Sequence, residues 1–167
     1  MMKVASYSEI DHNQWSALVR ESKTGTWFQT PEAYDFFASQ PELFKPFVLA
    51  ISHQPSAVKD QALRAVCCGY VTVEKNPIKQ FFTRRAIIIG GPALADDCTD
   101  EEVEALMNAV RNQLANTNYQ LSTINYSPIY IETRNFNDYS KWKKAFANQP
   151  ILLALYTITG GVPNYMM

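Results

Sequence analysis

The sequence predicts an α/β domain, a mixed and mostly antiparallel sheet with helices on both faces. Three observations carry that class. Apolar, strand-forming stretches and amphipathic helices follow in the order strand, two helices, three strands, helix, strand, helix, strand. The central strand–helix–strand unit calls for a right-handed parallel crossover. The strands before it follow one another through polar turns, so they pair as antiparallel hairpins.

Met2 to Tyr7 alternates and reads as the first strand. Asp11 is an N-cap, with Gln14 three residues on to close a capping box, and Trp15, Leu18 and Val19 follow at helical spacing. That helix ends near Lys23-Thr24-Gly25. The second begins at Thr30, with Pro31 at its first position and Glu32 at the positive end of its dipole. Ala33, Tyr34, Phe36 and Phe37 form its apolar side, and Gln40-Pro41 stops it.

Phe47 to Ile51 is the next strand, and Gln54 to Gln61, polar and containing Pro55, is a hairpin loop. Leu63 to Val73 is rich in strand formers, with a bulge expected at Gly69. After the turn Lys75-Asn76-Pro77, a third strand runs from Phe81 to Ile89 and breaks at Gly90-Gly91-Pro92. Thr99 and Glu102 make a capping box for the strongest helix, whose apolar face is Val103, Leu106, Met107, Val110 and Leu114. Asn116 to Pro128 is a loop, Ile129 to Ile131 a short strand, and a last helix follows Asn137-Asp138 with Trp142, Ala145 and Phe146. Ile151 to Thr159 is one more strand.

The 167 residues are 47% hydrophobic and 19% charged, a globular composition of about one domain. A net charge of -1 gives no global field toward nucleic acid or membrane. The longest apolar run, Ile151 to Tyr156, is far short of the ~20 residues of a membrane helix. The N-terminus lacks a signal-peptide core, so a cytoplasmic protein is expected. Cys67, Cys68 and Cys98 form no disulfide framework. The first two are neighbours pointing to opposite faces of a strand, and read as buried apolar groups. No His, Cys or carboxylate spacing suits a metal. His12 and His53 lie at element ends, and Ser52 beside His53 is no nucleophile pair.

The element order resembles that of the GNAT acyltransferases. That fold cradles acetyl-CoA pyrophosphate on a Gly-rich turn at a helix N-terminus. Here the corresponding turn holds Pro92, which lacks a donor, and five acids lie between Asp96 and Glu102. They repel a pyrophosphate, so acyl-CoA is not expected as cofactor.

Phe28-Gln29-Thr30-Pro31-Glu32, the Gly91-Pro92 turn and Ile129-Tyr130-Ile131-Glu132-Thr133-Arg134 together resemble the Fem-type aminoacyltransferases of peptidoglycan interpeptide bridges. The resemblance covers roughly residues 10 to 148. It implies tandem GNAT-like domains, an aminoacyl-tRNA donor and a cell-wall-precursor amine as acceptor. The chain is too short for both domains, and the resemblance stops at Asn148. The expectation is therefore a single GNAT-like domain over 1–167 with an atypical tail over 149–167. It would be one half of a two-domain enzyme, associating with a second domain or with itself.

By that resemblance Gln29, Thr30, Tyr34, Gly91, Pro92 and Asp96 line the substrate cleft. Asp96 is the catalytic candidate, orienting or deprotonating the attacking amine. Lys79, Arg84 and Arg85, beside Phe81 and Phe82, are candidates for contact with tRNA. Two other readings stay open: a non-catalytic remnant or binding module, and a divergent acetyl-CoA-dependent N-acetyltransferase.

Overall fold

The computed structural model describes residues 2–53, 62–76, 78–79, 85–116, 130–135 and 154–157. The elements are β1 (Met2–Ser6), α1 (His12–Glu21), α2 (Pro31–Ala38), β2 (Phe44–His53), β3 (Leu63–Thr72) and β4 (Arg85–Ile89). They continue with β5 (Ala93–Leu94), α3 (Asp100–Asn116), β6 (Tyr130–Asn135) and β7 (Ala154–Thr157). The polar hairpin 54–61, the first half of the expected third strand, the loop after Asn116, the helix carrying Trp142 and the tail end lie outside the described residues, as does Arg84.

Among the described residues, seven strands form one sheet in the order β1-β2-β3-β4-β6-β7, with β5 alongside β3. The pairs β1–β2, β2–β3, β3–β4 and β3–β5 are antiparallel. β4–β6 and β6–β7 are parallel. The crossover through α3 therefore makes the parallel step that the sequence predicts.

Side chains alternate across the sheet and build a core on each face. Phe47, Leu49, Ile51, Cys67 and Ile88 pack against Val103, Leu106, Met107, Val110 and Leu114 of α3. Val48, Ala50, Val66 and Cys68 meet Trp15, Leu18 and Val19 of α1. Tyr70 and Ile87 meet Ala33 and Phe37 of α2. The expected apolar face of α3 is thus buried in full, and Cys67 and Cys68 serve opposite cores. On α2, Phe36 turns outward and is half exposed.

Local chemistry fixes the helix starts. Asp11 accepts from the N–H groups of Asn13 and Gln14 at 2.9 Å. Thr99 and Glu102 exchange the two bonds of a capping box, at 2.7 and 3.3 Å. A further contact, not expected, lies at Ser6 and Glu9: Ser6 donates from both its N–H and its hydroxyl to Glu9 Oε2 at 3.0 Å.

Two expectations on the strands need correction. β2 runs from Phe44 and includes Pro46, because β1 pairs no further along it than Leu49. Beyond that point β2 has one neighbour, a setting that tolerates a missing donor. Gly69 is no bulge. It stays in register opposite Phe47, and the irregularity lies at Ile51/Ser52. A Cβ on Gly69 would stand 2.6 Å from the Ile87 carbonyl oxygen and 2.7 Å from the Phe47 ring. The glycine serves close packing.

Candidate functional site

β4 leaves the sheet through Gly90 and Gly91, whose φ angles of 85° and 74° are left-handed. The chain returns beside β3 as β5. β4 pairs with β3 at Tyr70 and Val71, and β5 at Ala65 and Val66, so Cys68 faces the gap between them. The buried Gln29 fills that gap. Its amide donates to the carbonyls of Cys68 (2.9 Å) and Ile89 (3.0 Å) and accepts from the Cys68 N–H (2.8 Å).

β5 is anchored from the other side by the segment after α1. Ser22 Oγ donates to the Leu94 carbonyl at 2.7 Å, and Thr24 Oγ1 to the Pro92 carbonyl at 3.0 Å. The chain then turns, with the Cys98 N–H bonded to the Ala95 carbonyl at 3.0 Å. Asp96 and Asp97 stand at the tip of this turn, both exposed.

That turn walls an open groove of about 440 Å³. The opposite wall is one face of α1, namely Gln14, Ala17, Leu18 and Glu21. Leu63 and Ala95 floor it with apolar surface, and Asp96, Asp97 and Glu21 give it an acidic rim. Lys23 Nζ reaches Asp96 at 2.9 Å, but both are largely exposed, so the pair contributes little energy and exchanges readily.

Asp97 is held more firmly. Arg64 donates from Nη1 to its carboxylate and from Nη2 to its carbonyl, both at 2.8 Å, and from Nε to Glu102 Oε1 at 2.9 Å. The bond to Glu102 and then that to Asp97 raise the Arg64 pKa above its ordinary value. Glu102 also accepts from the Thr99 N–H and meets His53 Nε2 at 2.7 Å. Burial opposes its charge, yet Arg64, the Thr99 N–H and His53 together leave its pKa below the ordinary value. The acidic turn is thereby tied to β2, β3 and α3.

Of the residues expected to line one cleft, the groove takes Asp96 alone. Gln29 is spent on the backbone of β3 and β4. Thr30 caps α2, accepting from the Ala33 N–H at 3.2 Å while donating to the Trp27 carbonyl at 2.8 Å. Tyr34 stacks on Tyr7 at 4.2 Å, edge-on to Trp15. Gly91 and Pro92 are buried in the turn. Lys79 is exposed, while Arg85 donates to Glu132 at 3.2 Å. Gln14, Glu21 and Asp97 were not anticipated as site residues. The α1 face repeats at 14, 17, 18 and 21, but that spacing alone does not say what lies across from it.

Among the described residues no group of three or more His, Cys, Asp or Glu side chains is arranged to hold a metal ion. None of their helices is long and apolar enough to cross a membrane. No family model, curated protein or solved structure matches the chain.

Proposed function

We propose that this chain is the acceptor-binding part of an N-acyl or aminoacyl transferase of the GNAT-like, Fem-type kind, working in the cytoplasm on an amine acceptor. The observation that carries the reading is the groove between α1 and the Asp96–Asp97 turn. Its carboxylates face an apolar floor, a setting suited to a primary ammonium on an alkyl chain. A ligand ammonium would replace Lys23 at Asp96 at little cost. Asp96 then holds the ammonium and takes one of its protons, which frees the lone pair that attacks the ester carbonyl; the second proton, shed as the amide forms, leaves with the departing ester oxygen. Aminolysis of an activated ester, such as an aminoacyl-tRNA, needs no protein nucleophile, so positioning can supply much of the rate. The donor site belongs to a second domain or a second copy. Acyl-CoA is disfavoured by the same acids.

The test is calorimetric titration of a short lysine-bearing peptide, followed by transfer from aminoacyl-tRNA. Asp96→Asn is expected to weaken peptide binding about tenfold or more, the loss of one charged hydrogen bond. Equal binding by the variant and the parent would remove Asp96 from the site.

A second reading, a non-catalytic binding module, draws support from the structural duties of Gln29 and Thr30. Peptide binding without transfer, even with a candidate second domain added, would select it.

A further inference from the structure

On the sheet face that carries α1 and α2, three charged side chains meet away from the groove. The parallel register sets Ile87 beside Glu132 and Ile89 beside Arg134, so residues 85, 132 and 134 share the face of Tyr70 and Ile87. Glu132 is sealed, its side chain 4% exposed, and both its oxygens are taken. Arg85 Nη1 donates to Oε2 at 3.2 Å and Arg134 Nε to Oε1 at 2.7 Å. One carboxylate thus faces two guanidinium groups, and the trio keeps a surplus positive charge.

The surplus has a direction. Both arginine side chains remain about a third exposed, at 37% and 35%. Arg85 Nε is shielded from water and has no acceptor among the described residues. A buried charged donor without an acceptor is costly and signals a missing partner. With Nη1 on Glu132, the edge formed by Nε and Nη2 has no acceptor among the described residues. A planar carboxylate is satisfied by one such edge, whereas a tetrahedral phosphate offers oxygens in several directions and can take donors from both arginines.

We propose that Arg85 and Arg134, held in place by Glu132, form a binding site for the phosphate group of a small ligand. This site is independent of the amine groove and does not rest on the reading given to it. Glu132 is a positioning residue, fixing two guanidinium groups that would otherwise repel.

The experiment is titration with inorganic phosphate, read by calorimetry and by the Arg Nε–H resonances in NMR. The parent chain is expected to bind saturably, with the Arg85 Nε–H signal moving. Arg85→Gln and Arg134→Gln each lower affinity about ten- to hundredfold. Lys75→Gln, an equal change of charge at a lysine paired with Glu42, leaves it unchanged. Arg85→Lys keeps the charge and the pairing to Glu132 but not the fork, so it weakens binding even if the glutamine variant fails to fold. No saturable binding by the parent, or equal affinity in Arg85→Lys, would overturn the site. Displacement of phosphate by equimolar acetate would overturn its assignment to phosphate.

Discussion

The side chain of Gln29 does the work of a strand at Cys68. One amide group donates to the Cys68 carbonyl and accepts from the Cys68 N–H, closing the gap where β4 gives way to β5. The Gln29 carbonyl in turn accepts from the indole N–H of Trp15, so α1, the Trp27–Gln29 turn and β3 share one buried junction.

Replacing Gln29 by leucine strands the N–H and carbonyl of Cys68 and the carbonyl of Ile89. Each buried group left unpaired costs about 1–3 kcal/mol. The expected loss is about 3–5 kcal/mol, seen as a lower denaturant midpoint at unchanged slope. A change below about 1 kcal/mol would mean that water or backbone movement replaces the amide.

Gly69→Ala sets a methyl against the Ile87 carbonyl oxygen, a backbone atom that cannot swing aside, and against the Phe47 ring. Overpacking of this kind costs about 1–3 kcal/mol. The near-ultraviolet circular dichroism should change with it, because Phe47 lies 2% exposed in the main core and must move. An unchanged spectrum and midpoint would show that β3 and β4 separate freely.

The contrast between these glycine and glutamine roles and the α3 helix shows what the sequence makes legible. The capping box of Thr99 and Glu102 and the face from Val103 to Leu114 are local, set by spacing within one helix, and the structure keeps every residue of them. Thr30 and Pro31 start α2 for the same kind of reason. Gln29 reaches residue 68 across 39 positions, and nothing in its neighbours announces that. β5, two residues long, has no periodicity to detect. Asp96 could be picked out as a candidate beside the Gly-Pro turn. Its partners across the groove, Gln14 and Glu21, depend on how α1 docks, a long-range property.

The buried thiols predict a reactivity pattern. Burial pushes the Cys67 thiol up to about 12 and raises Cys68 well above its ordinary value, helped by Cys67 beside it. Neither forms thiolate near neutral pH, and Cys98 is buried as well. A disulfide exchange reagent at pH 8 should therefore label the native chain at a negligible rate, and all three cysteines at once on unfolding. Rapid labelling of one thiol in the native state would locate an opening of the sheet.

Glu102 sets an acid limit on stability. Burial works against its charge, but Arg64, the Thr99 N–H and His53 more than compensate, so its folded pKa lies below the ordinary 4.5. A depressed carboxylate pKa stabilises the fold above the unfolded value, and that contribution is lost as pH falls through the folded one. In Glu102→Gln, Arg64 loses its buried partner, and the expected cost at pH 7 is about 1–3 kcal/mol. The unfolded parent protonates at Glu102 below about pH 4.5 and the folded parent only lower still, so the two denaturation midpoints should approach each other below pH 4.5 and converge once pH has fallen through the folded value. A difference that stays constant down to low pH would mean that glutamine disturbs packing and that the ionised carboxylate contributes nothing. Convergence would show that the charge of Glu102, through Arg64, holds the Asp97 turn against β3.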